Sequence, residues 1–210
     1  MKGPDAKRSI ERYRRLAQSY DASSAAGIAI REKTVALLNL QPGEVVVDMA
    51  SGTGLSFASL LKAVGPNGRV VAIEHSPEMM ALARRRVQVA GWDNVSLIES
   101  AAQAADVPQF DAVLFHYAHD VLQSSAALAR LFARAKLGAR VAVAGAKFTS
   151  WMLAPLNLWV MIRARPYLST YAGLRQPWRN LQTYVPDLMI SPFLLDTGYI
   201  AHGRFRSGGE

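Results

Sequence analysis

The segment Val45-Val46-Val47-Asp48-Met49-Ala50-Ser51-Gly52-Thr53-Gly54, continued by Leu55-Ser56-Phe57-Ala58-Ser59-Leu60-Leu61, constrains the fold more than any other. Three consecutive β-branched residues make a short apolar run of the kind found in a buried parallel strand. An acid ends the run, small residues and two glycines follow, and apolar residues then return at helical spacing. Strand, tight glycine turn and helix in that order build a crevice at the carboxyl edge of an open α/β sheet, where such folds bind ligands. Glycine suits a tight turn whose backbone must approach a ligand closely.

The residues around the turn narrow the ligand. A dinucleotide fingerprint needs a third glycine at position 57, which here is Phe57. Asp48 would repel a pyrophosphate but favour a ligand bearing an ammonium and a sulfonium, as S-adenosylmethionine (SAM) does. Glu74 ends the predicted strand Arg69–Glu74, 20 residues after Gly54, where an acid can accept both ribose hydroxyls.

These residues resemble the class I SAM-dependent methyltransferases, in particular the ubiquinone/menaquinone and bacterial phosphatidylethanolamine methyltransferase group. Asp48–Gly54 resembles that family's first motif, and Val70–Met80 its second strand and following helix. Gly91–Val95 and Phe110–Leu114 resemble the approach to its third strand and its fourth strand; Arg175–Trp178 and Gly198–Arg204 resemble the phospholipid-methylating branch. The resemblance implies a Rossmann-like, doubly wound, seven-stranded α/β sheet. It also implies N-terminal helices, a helical insertion before the last two strands, and a last strand inserted antiparallel between its neighbours. It implies SAM contacts at Tyr20, Asp48, Ala50, Ser51, Gly52, Thr53, Gly54, Glu74, His75, Ser76, Met79, Ala101, Ala102 and His116. Met79 reads equally well as core. The family usually has Asp where this chain has Ala101, so backbone near Ala101 and Ala102 is expected to read the adenine edge. Ala50 stands where the family has Gly; alanine is small, and little consequence is expected.

At 210 residues the chain fits one domain, 1–206, with an N-terminal helical cap at 1–40, a substrate-side insertion at 146–185 and a disordered tail at 207–210. There is no cysteine, which excludes disulfides, thiolate metal sites and a cysteine nucleophile and fits the cytoplasm. No apolar signal segment is seen at the N-terminus. The net charge of +8 favours anionic partners, but the basic residues are scattered and no nucleic-acid motif accompanies them, so no nucleic-acid partner is expected.

Residues 7–17 read as a basic helix with Ile10, Tyr13, Leu16 and Ala17 on one face, suited to closing the cofactor cleft or to peripheral membrane contact. A second helix is expected over Ala25–Leu38, strands over Val95–Ile98 and Asp111–Phe115, a helix from Ser124 to Ala135, a turn at Lys136–Ala139 and a strand over Arg140–Ala144. The fourth strand delivers His116-Tyr117-Ala118-His119-Asp120, the densest polar cluster in the chain, to the sheet's carboxyl edge. Histidine is the usual proton acceptor near neutral pH. His119 and then His116 are the base candidates, Tyr117 is a substrate contact, and Asp120 reads as a helix cap. His-x-x-His with one acid lacks further ligands, so no metal is expected.

Phe148–Ile162 is markedly apolar, interrupted by Pro155 and Asn157, and too short to span a bilayer. Core helix, lid over an apolar pocket and lipid-facing surface all remain open. Trp151, Trp159 and Tyr171 in this insertion are the further substrate candidates. The expected activity is methyl transfer to oxygen or nitrogen of a small hydrophobic or amphipathic acceptor. Alternatives are a phospholipid amine N-methyltransferase at the membrane surface, an aminocarboxypropyl transferase using the same cofactor, and a non-catalytic binding subunit of the same fold.

Overall fold

The computed structural model describes Glu11, Arg14, residues 20–24 and residues 27–206. The basic helix expected at 7–17, apart from Glu11 and Arg14, and the tail at 207–210 lie outside the described residues.

Helix α1 (Ile28–Leu37) leads to strand β1 (Val45–Met49), helix α2 (Phe57–Val64), strand β2 (Arg69–Glu74), helix α3 (Pro77–Ala90), strand β3 (Val95–Glu99) and strand β4 (Phe110–His116). Short α4 (His119–Leu122), α5 (Ser125–Phe132), strand β5 (Ala135–Ala146), helix α6 (Ala154–Ala164), and strands β6 (Met189–Phe193) and β7 (Gly198–Arg204) complete it. The strands form one seven-stranded sheet in the order β3-β2-β1-β4-β5-β7-β6. All pairs are parallel except those of β7, which runs antiparallel between β5 and β6. The order reverses between β1 and β4, which opens a crevice at their carboxyl ends. This is the Rossmann-like fold.

Period-two alternation divides the core. Val47, Met49, Val71 and Ile73 pack on one face with Phe115 and Tyr199, whereas Val46, Val70 and Leu114 pack on the other with Leu60 and Val64 of α2. Helix α3 starts and stops where its sequence dictates: the Ser76 hydroxyl accepts from the Met79 N–H at 3.4 Å, Pro77 opens the first turn, and Gly91 closes the helix at φ 66°.

Two boundaries differ from expectation. The helix expected to reach Ala135 ends at Phe132, and the turn expected at Lys136–Ala139 falls inside β5. Pairing with β4 jumps from Phe110↔Ala135 to Ala112↔Arg140, so the turn-forming residues are looped out as a bulge while the ladder resumes beyond them.

The apolar insertion is not a core helix. Pro155 and Asn157 do not interrupt it: Pro155 sits in the first turn of α6, and the Asn157 amide pairs with both backbone groups of Thr149, accepting at 2.8 Å and donating at 3.2 Å. Val160 is the one buried residue of α6. No helix among the described residues is long and apolar enough to cross a membrane.

Candidate cofactor and acceptor site

A cavity lies at the sheet's carboxyl edge, walled by Met49 and Ala50 at the end of β1, Ile73, Glu74 and His75 at the end of β2, Ser100–Gln103 after β3, and Asp120, Val121, Ser124 and Ala127 in the α4–α5 segment after β4. Each wall is the end of a parallel strand or the segment that follows it, so the topology converges these residues on one place.

Glu74 organises the wall. Its Oε2 accepts from the Gly52 N–H at 2.9 Å, and its Oε1 accepts from the N–H groups of His75 and Ser76 at 2.9 and 2.8 Å. The carboxylate thereby fixes the glycine turn to β2 and uses three of its roughly four lone-pair sites, which leaves room on Oε2 for one hydroxyl donor. The turn uses its own N–H groups as well: Ser51 donates to the Ile73 carbonyl and Gly54 to the Ser51 carbonyl. The backbone of Ser51–Gly54, expected to hold the cofactor's methionine part, therefore offers little donor capacity. Gly54 has φ 81°, and an added Cβ would lie 2.3 Å from the Phe57 ring. Phe57 takes the place of the third dinucleotide glycine and fills the space beneath the turn. Ala50 also adopts a left-handed backbone, φ 58°. Its departure from glycine does have a consequence: the strain lies in the backbone and not in side-chain size.

Beneath the turn, the structure leaves polar groups unsatisfied. Asp48 is fully buried, its Oδ2 has no hydrogen-bond partner among the described residues, and burial pushes its carboxyl up to about 7 against the opposing pull of Arg31. Ser51 Oγ is likewise buried and unpartnered. Arg31 is buried on α1, donates to Ser56 Oγ at 2.7 Å, and lies within electrostatic reach of Asp48, Tyr20 and Tyr117. A buried carboxyl with an unpartnered oxygen and a buried guanidinium near it suit a ligand carrying both an ammonium and a carboxylate. Unmade buried hydrogen bonds cost about 1–3 kcal/mol each, so such groups persist where a ligand completes them.

Residues 20–24 sit over the turn. Thr53 Oγ1 donates to Asp21 Oδ1 at 2.5 Å, Arg86 pairs with the other oxygen of Asp21, and Arg86 Nε donates to the Thr53 carbonyl at 2.8 Å. Tyr20 lies 3.8 Å from where a Gly52 Cβ would be, and its ring meets Tyr167 of the insertion edge to face at 6.1 Å. Cap and insertion therefore touch above the crevice.

In the cluster after β4, His119, expected as the first base candidate, bonds the Ala172 carbonyl through Nε2 at 2.9 Å, so that nitrogen carries the proton, while its buried Nδ1 has no partner among the described residues. Asp120 Oδ2 accepts from the Ser169 N–H at 3.1 Å and caps no helix; Ser124 caps α5 instead. With Gln123 Nε2 donating to the Pro177 carbonyl (3.0 Å) and Asn180 Nδ2 donating to the Leu122 carbonyl (3.1 Å), four contacts clamp the insertion onto the β4 loop. His116 is the other case: buried, with neither ring nitrogen bonded among the described residues, and held well below the usual histidine range by burial and then by Arg31. Tyr117 beside it adopts φ 59°, a strained conformation for a bulky residue, and stays partly exposed.

Of the remaining expected residues, His75, Ala101 and Ala102 line the cavity. Met79 is fully buried and not among the residues that line the cavity, and Ser76 is the α3 cap. Tyr171 donates its hydroxyl to the Met161 carbonyl at 3.1 Å, within the insertion. Trp151 and Trp159 are exposed and do not reach the cavity, because the inward stripe of α6 is centred on Val160. Sequence reasoning passed over Ser100, Gln103 and Asp120 at the cavity, and Arg31. Arg31 did leave a signal: it occupies one position of the stripe Arg31-Thr34-Val35-Leu38, whose other members are all buried.

Comparison with known proteins bears on these residues. The chain matches the family model of protein-L-isoaspartate(D-aspartate) O-methyltransferase over residues 7–122. It is similar to the protein-L-isoaspartate O-methyltransferase of Aeropyrum pernix, 36% identical over 86 residues, which cover 41% of this chain and 32% of that one. It is also similar to the ubiquinone/menaquinone biosynthesis C-methyltransferase of Pasteurella multocida, 29% identical over 128 residues, or 59% of this chain and 47% of that one. The chain spans about a third of the length of the first curated relatives it matches. The crystal structure of a SAM-dependent methyltransferase from Aquifex aeolicus shares the fold, with a TM-score of 0.67 at 18% identity over 90% of this chain and 96% of that one. The family match takes in the glycine turn, Glu74 and the polar cluster after β4 and covers more than half of the sequence: the chain belongs to the protein-L-isoaspartate(D-aspartate) O-methyltransferase family, within the class I SAM-dependent methyltransferases.

Proposed function

We propose that this chain is a SAM-dependent methyltransferase that moves a methyl group to an oxygen or nitrogen of a small hydrophobic or amphipathic acceptor. The observation that carries the reading is Glu74, whose carboxylate joins the glycine turn to the cavity wall at the sheet's switch point. In this reading Glu74 accepts from one ribose hydroxyl through Oε2. His75, Ala101 and Ala102 flank the adenine. Asp48 and Arg31 take the ammonium and carboxylate of the methionine part.

The bound cofactor supplies an electrophilic methyl group on a sulfonium, so the protein chiefly has to bind, align and exclude water. His116 is the group best suited to orient the acceptor. It is neutral near pH 7, and either ring nitrogen can accept a hydrogen bond while the other donates. Its depressed basicity favours an acceptor that arrives as a nucleophile, such as a neutral amine or an acidic hydroxyl. Tyr117, partly exposed beside it, borders the acceptor's approach. His119 is a positioning residue that holds the insertion in place through Ala172.

Calorimetric titration with S-adenosylhomocysteine tests the cofactor reading. Wild type is expected to bind, and Glu74→Gln to bind at least tenfold more weakly. Failure of folded wild type to bind overturns the reading in favour of a non-catalytic binding subunit. Methyl-labelled SAM offered with amine, phenol and phospholipid acceptors tests the reaction. Label in the acceptor with S-adenosylhomocysteine as co-product supports it, and methylthioadenosine as co-product overturns it in favour of aminocarboxypropyl transfer.

A further inference from the structure

The outer face of the insertion is apolar and uncovered among the described residues. Trp151 is 76% exposed, Met152 75%, Leu158 58%, Trp159 44% and Ile162 64%. Positions 155, 158, 159 and 162 fall on one side of α6, opposite the inward stripe at 156, 160 and 164. The patch continues on the β6–β7 turn, where Leu194 and Leu195 are also exposed. Thr149 ties the pieces together: its backbone pairs with Asn157 of α6, and its hydroxyl donates to Asp196 at 3.0 Å, beside those leucines. Contiguous exposed apolar surface of this kind marks an interaction site.

Charge says what covers it. Between Asp120 and Asp187 the chain contains no Asp or Glu and nine Lys or Arg. The insertion itself carries Arg163, Arg165, Arg175 and Arg179, all exposed, none with a carboxylate in ion-pair range among the described residues. Asp196, the acid nearest the patch, is neutralised by Lys147 at 2.7 Å. Arg163 lies over the Trp159 ring at 5.8 Å, at the end of the apolar face where a helix lying in an interface meets headgroups. Tryptophans, aliphatic residues and terminal arginines on a helix too short to span a bilayer are the chemistry of an interfacial helix on anionic lipid.

We propose that the Trp151–Ile162 face docks the protein onto an anionic phospholipid surface, with α6 lying in the headgroup region and Arg163 and Arg165 at its C-terminal end on phosphate. The cap and insertion meet at Tyr20 and Tyr167 above the crevice, so docking brings the mouth of the site to the lipid, where an amphipathic acceptor is concentrated. This inference does not depend on the cofactor reading.

Co-sedimentation with vesicles of phosphatidylcholine alone or with a quarter phosphatidylglycerol tests it. The full chain is expected to partition onto the anionic vesicles at least tenfold more strongly, and 0.5 M salt is expected to weaken that binding. The triple variant Trp151→Gln, Leu158→Gln, Ile162→Gln is expected to lose at least tenfold of the partitioning with its melting temperature unchanged. Arg163→Gln with Arg165→Gln is expected to lose several-fold on anionic vesicles only. Quenching of tryptophan emission by brominated lipid is expected in wild type and much reduced in the triple variant. No partitioning, or partitioning that the triple variant retains, overturns the proposal. A wild-type dimer in sedimentation equilibrium that the triple variant abolishes also overturns it, since a second copy is then the occupant.

Discussion

The two sides of the crevice are built by opposite means. The turn between β1 and α2 is closed from within: its N–H groups are bonded to Glu74, Ile73 and the turn itself, and Phe57 fills the space beneath Gly54. The insertion is held from outside, by side chains of residues 119–123 and Asn180, and its outer face stays apolar and exposed. The family match runs through the first structure and stops at residue 122, where the clamp on the second begins. A wall made by backbone sterics has few alternatives, whereas a lobe attached by separable polar contacts can be exchanged without disturbing the sheet.

The largest effect expected from this contrast comes from a matched pair of glycines. Gly54 and Gly173 have φ 81° and 75°, so alanine at either position meets the left-handed cost of roughly 1–2 kcal/mol. At Gly54 the new Cβ also meets the buried Phe57 ring at 2.3 Å, while at Gly173 it meets the tip of the Gln123 amide, which can move only by giving up its bond to the Pro177 carbonyl. Gly54→Ala is therefore expected to cost more than about 3 kcal/mol and to abolish S-adenosylhomocysteine binding. Gly173→Ala is expected to cost about 2–3 kcal/mol, the backbone strain plus the lost Gln123 bond, and to leave binding within a few-fold. Thermal melts with ligand titration compare them, and equal losses at the two sites would break the contrast.

The same contrast explains what could be read from the sequence. Strands β1 and β2 and helix α3 lie where β-branched runs, the Ser76-Pro77 start and Gly91 put them, because those rules are local. Glu74 was legible from its place at a strand end. The chemistry of His119 is visible in the chain, but its tie to the insertion is not, because its partner, Ala172, lies 53 residues away. Trp151 and Trp159 are substrate candidates in the sequence because they lie in the insertion on the substrate side; only the placement of Val160 shows which side of α6 faces inward. Asp48 is legible from its place before the glycine turn, but Arg31 becomes a functional candidate only once α1 is seen packed beside β4 and β5.

Asp48 gives the next effect. Its folded carboxyl titrates near 7 against an ordinary 3.8, so between these values the folded state binds the extra proton. The stability this confers is present at low pH and is lost as pH rises through about 7, by a few kcal/mol on the scale of roughly 1.4 kcal/mol per unit. His116 and His119 act in the reverse direction: their folded values are lowered, so stability is lost as pH falls below the usual histidine range. Asp48→Asn is expected to raise the melting temperature of the ligand-free protein at pH 8, to remove the decline between pH 5 and 7.5, and to weaken S-adenosylhomocysteine binding. In wild type, binding below pH 7 is expected to release a proton, measurable as a buffer-dependent heat. A variant no more stable than wild type at pH 8 would show that Asp48 is not strained by burial.

The clamp predicts smaller losses confined to one side. Gln123→Ala and Asn180→Ala each remove a hydrogen bond between the insertion and the β4 loop, at about 1 kcal/mol apiece. Limited proteolysis of the double variant is expected to cut within residues 165–180 several-fold faster, while hydrogen exchange in β1, β2 and β4 stays near wild type. Loss of protection across the sheet would show that the insertion and the sheet form one cooperative unit.

The smallest effect is a gain. Ala50 occupies a left-handed backbone at φ 58° in the turn that otherwise uses Gly52 and Gly54 for such angles. Glycine removes a strain of roughly 1–2 kcal/mol there but gives back part of it through the greater freedom of the unfolded chain, about 0.5–1 kcal/mol. Ala50→Gly is therefore expected to stabilise the protein by about 0.5–1 kcal/mol, a rise of a few degrees in melting temperature for a chain of this size. Because Ala50 also lines the cavity, losing its methyl group removes one apolar contact with whatever fills that space. Stability is expected to rise while S-adenosylhomocysteine affinity stays level or falls slightly. If both rose together, the alanine would be a burden with no role at the site; if stability fell, the turn would relax out of the left-handed region in solution and the rigid half of the crevice would be less rigid than its hydrogen bonds imply.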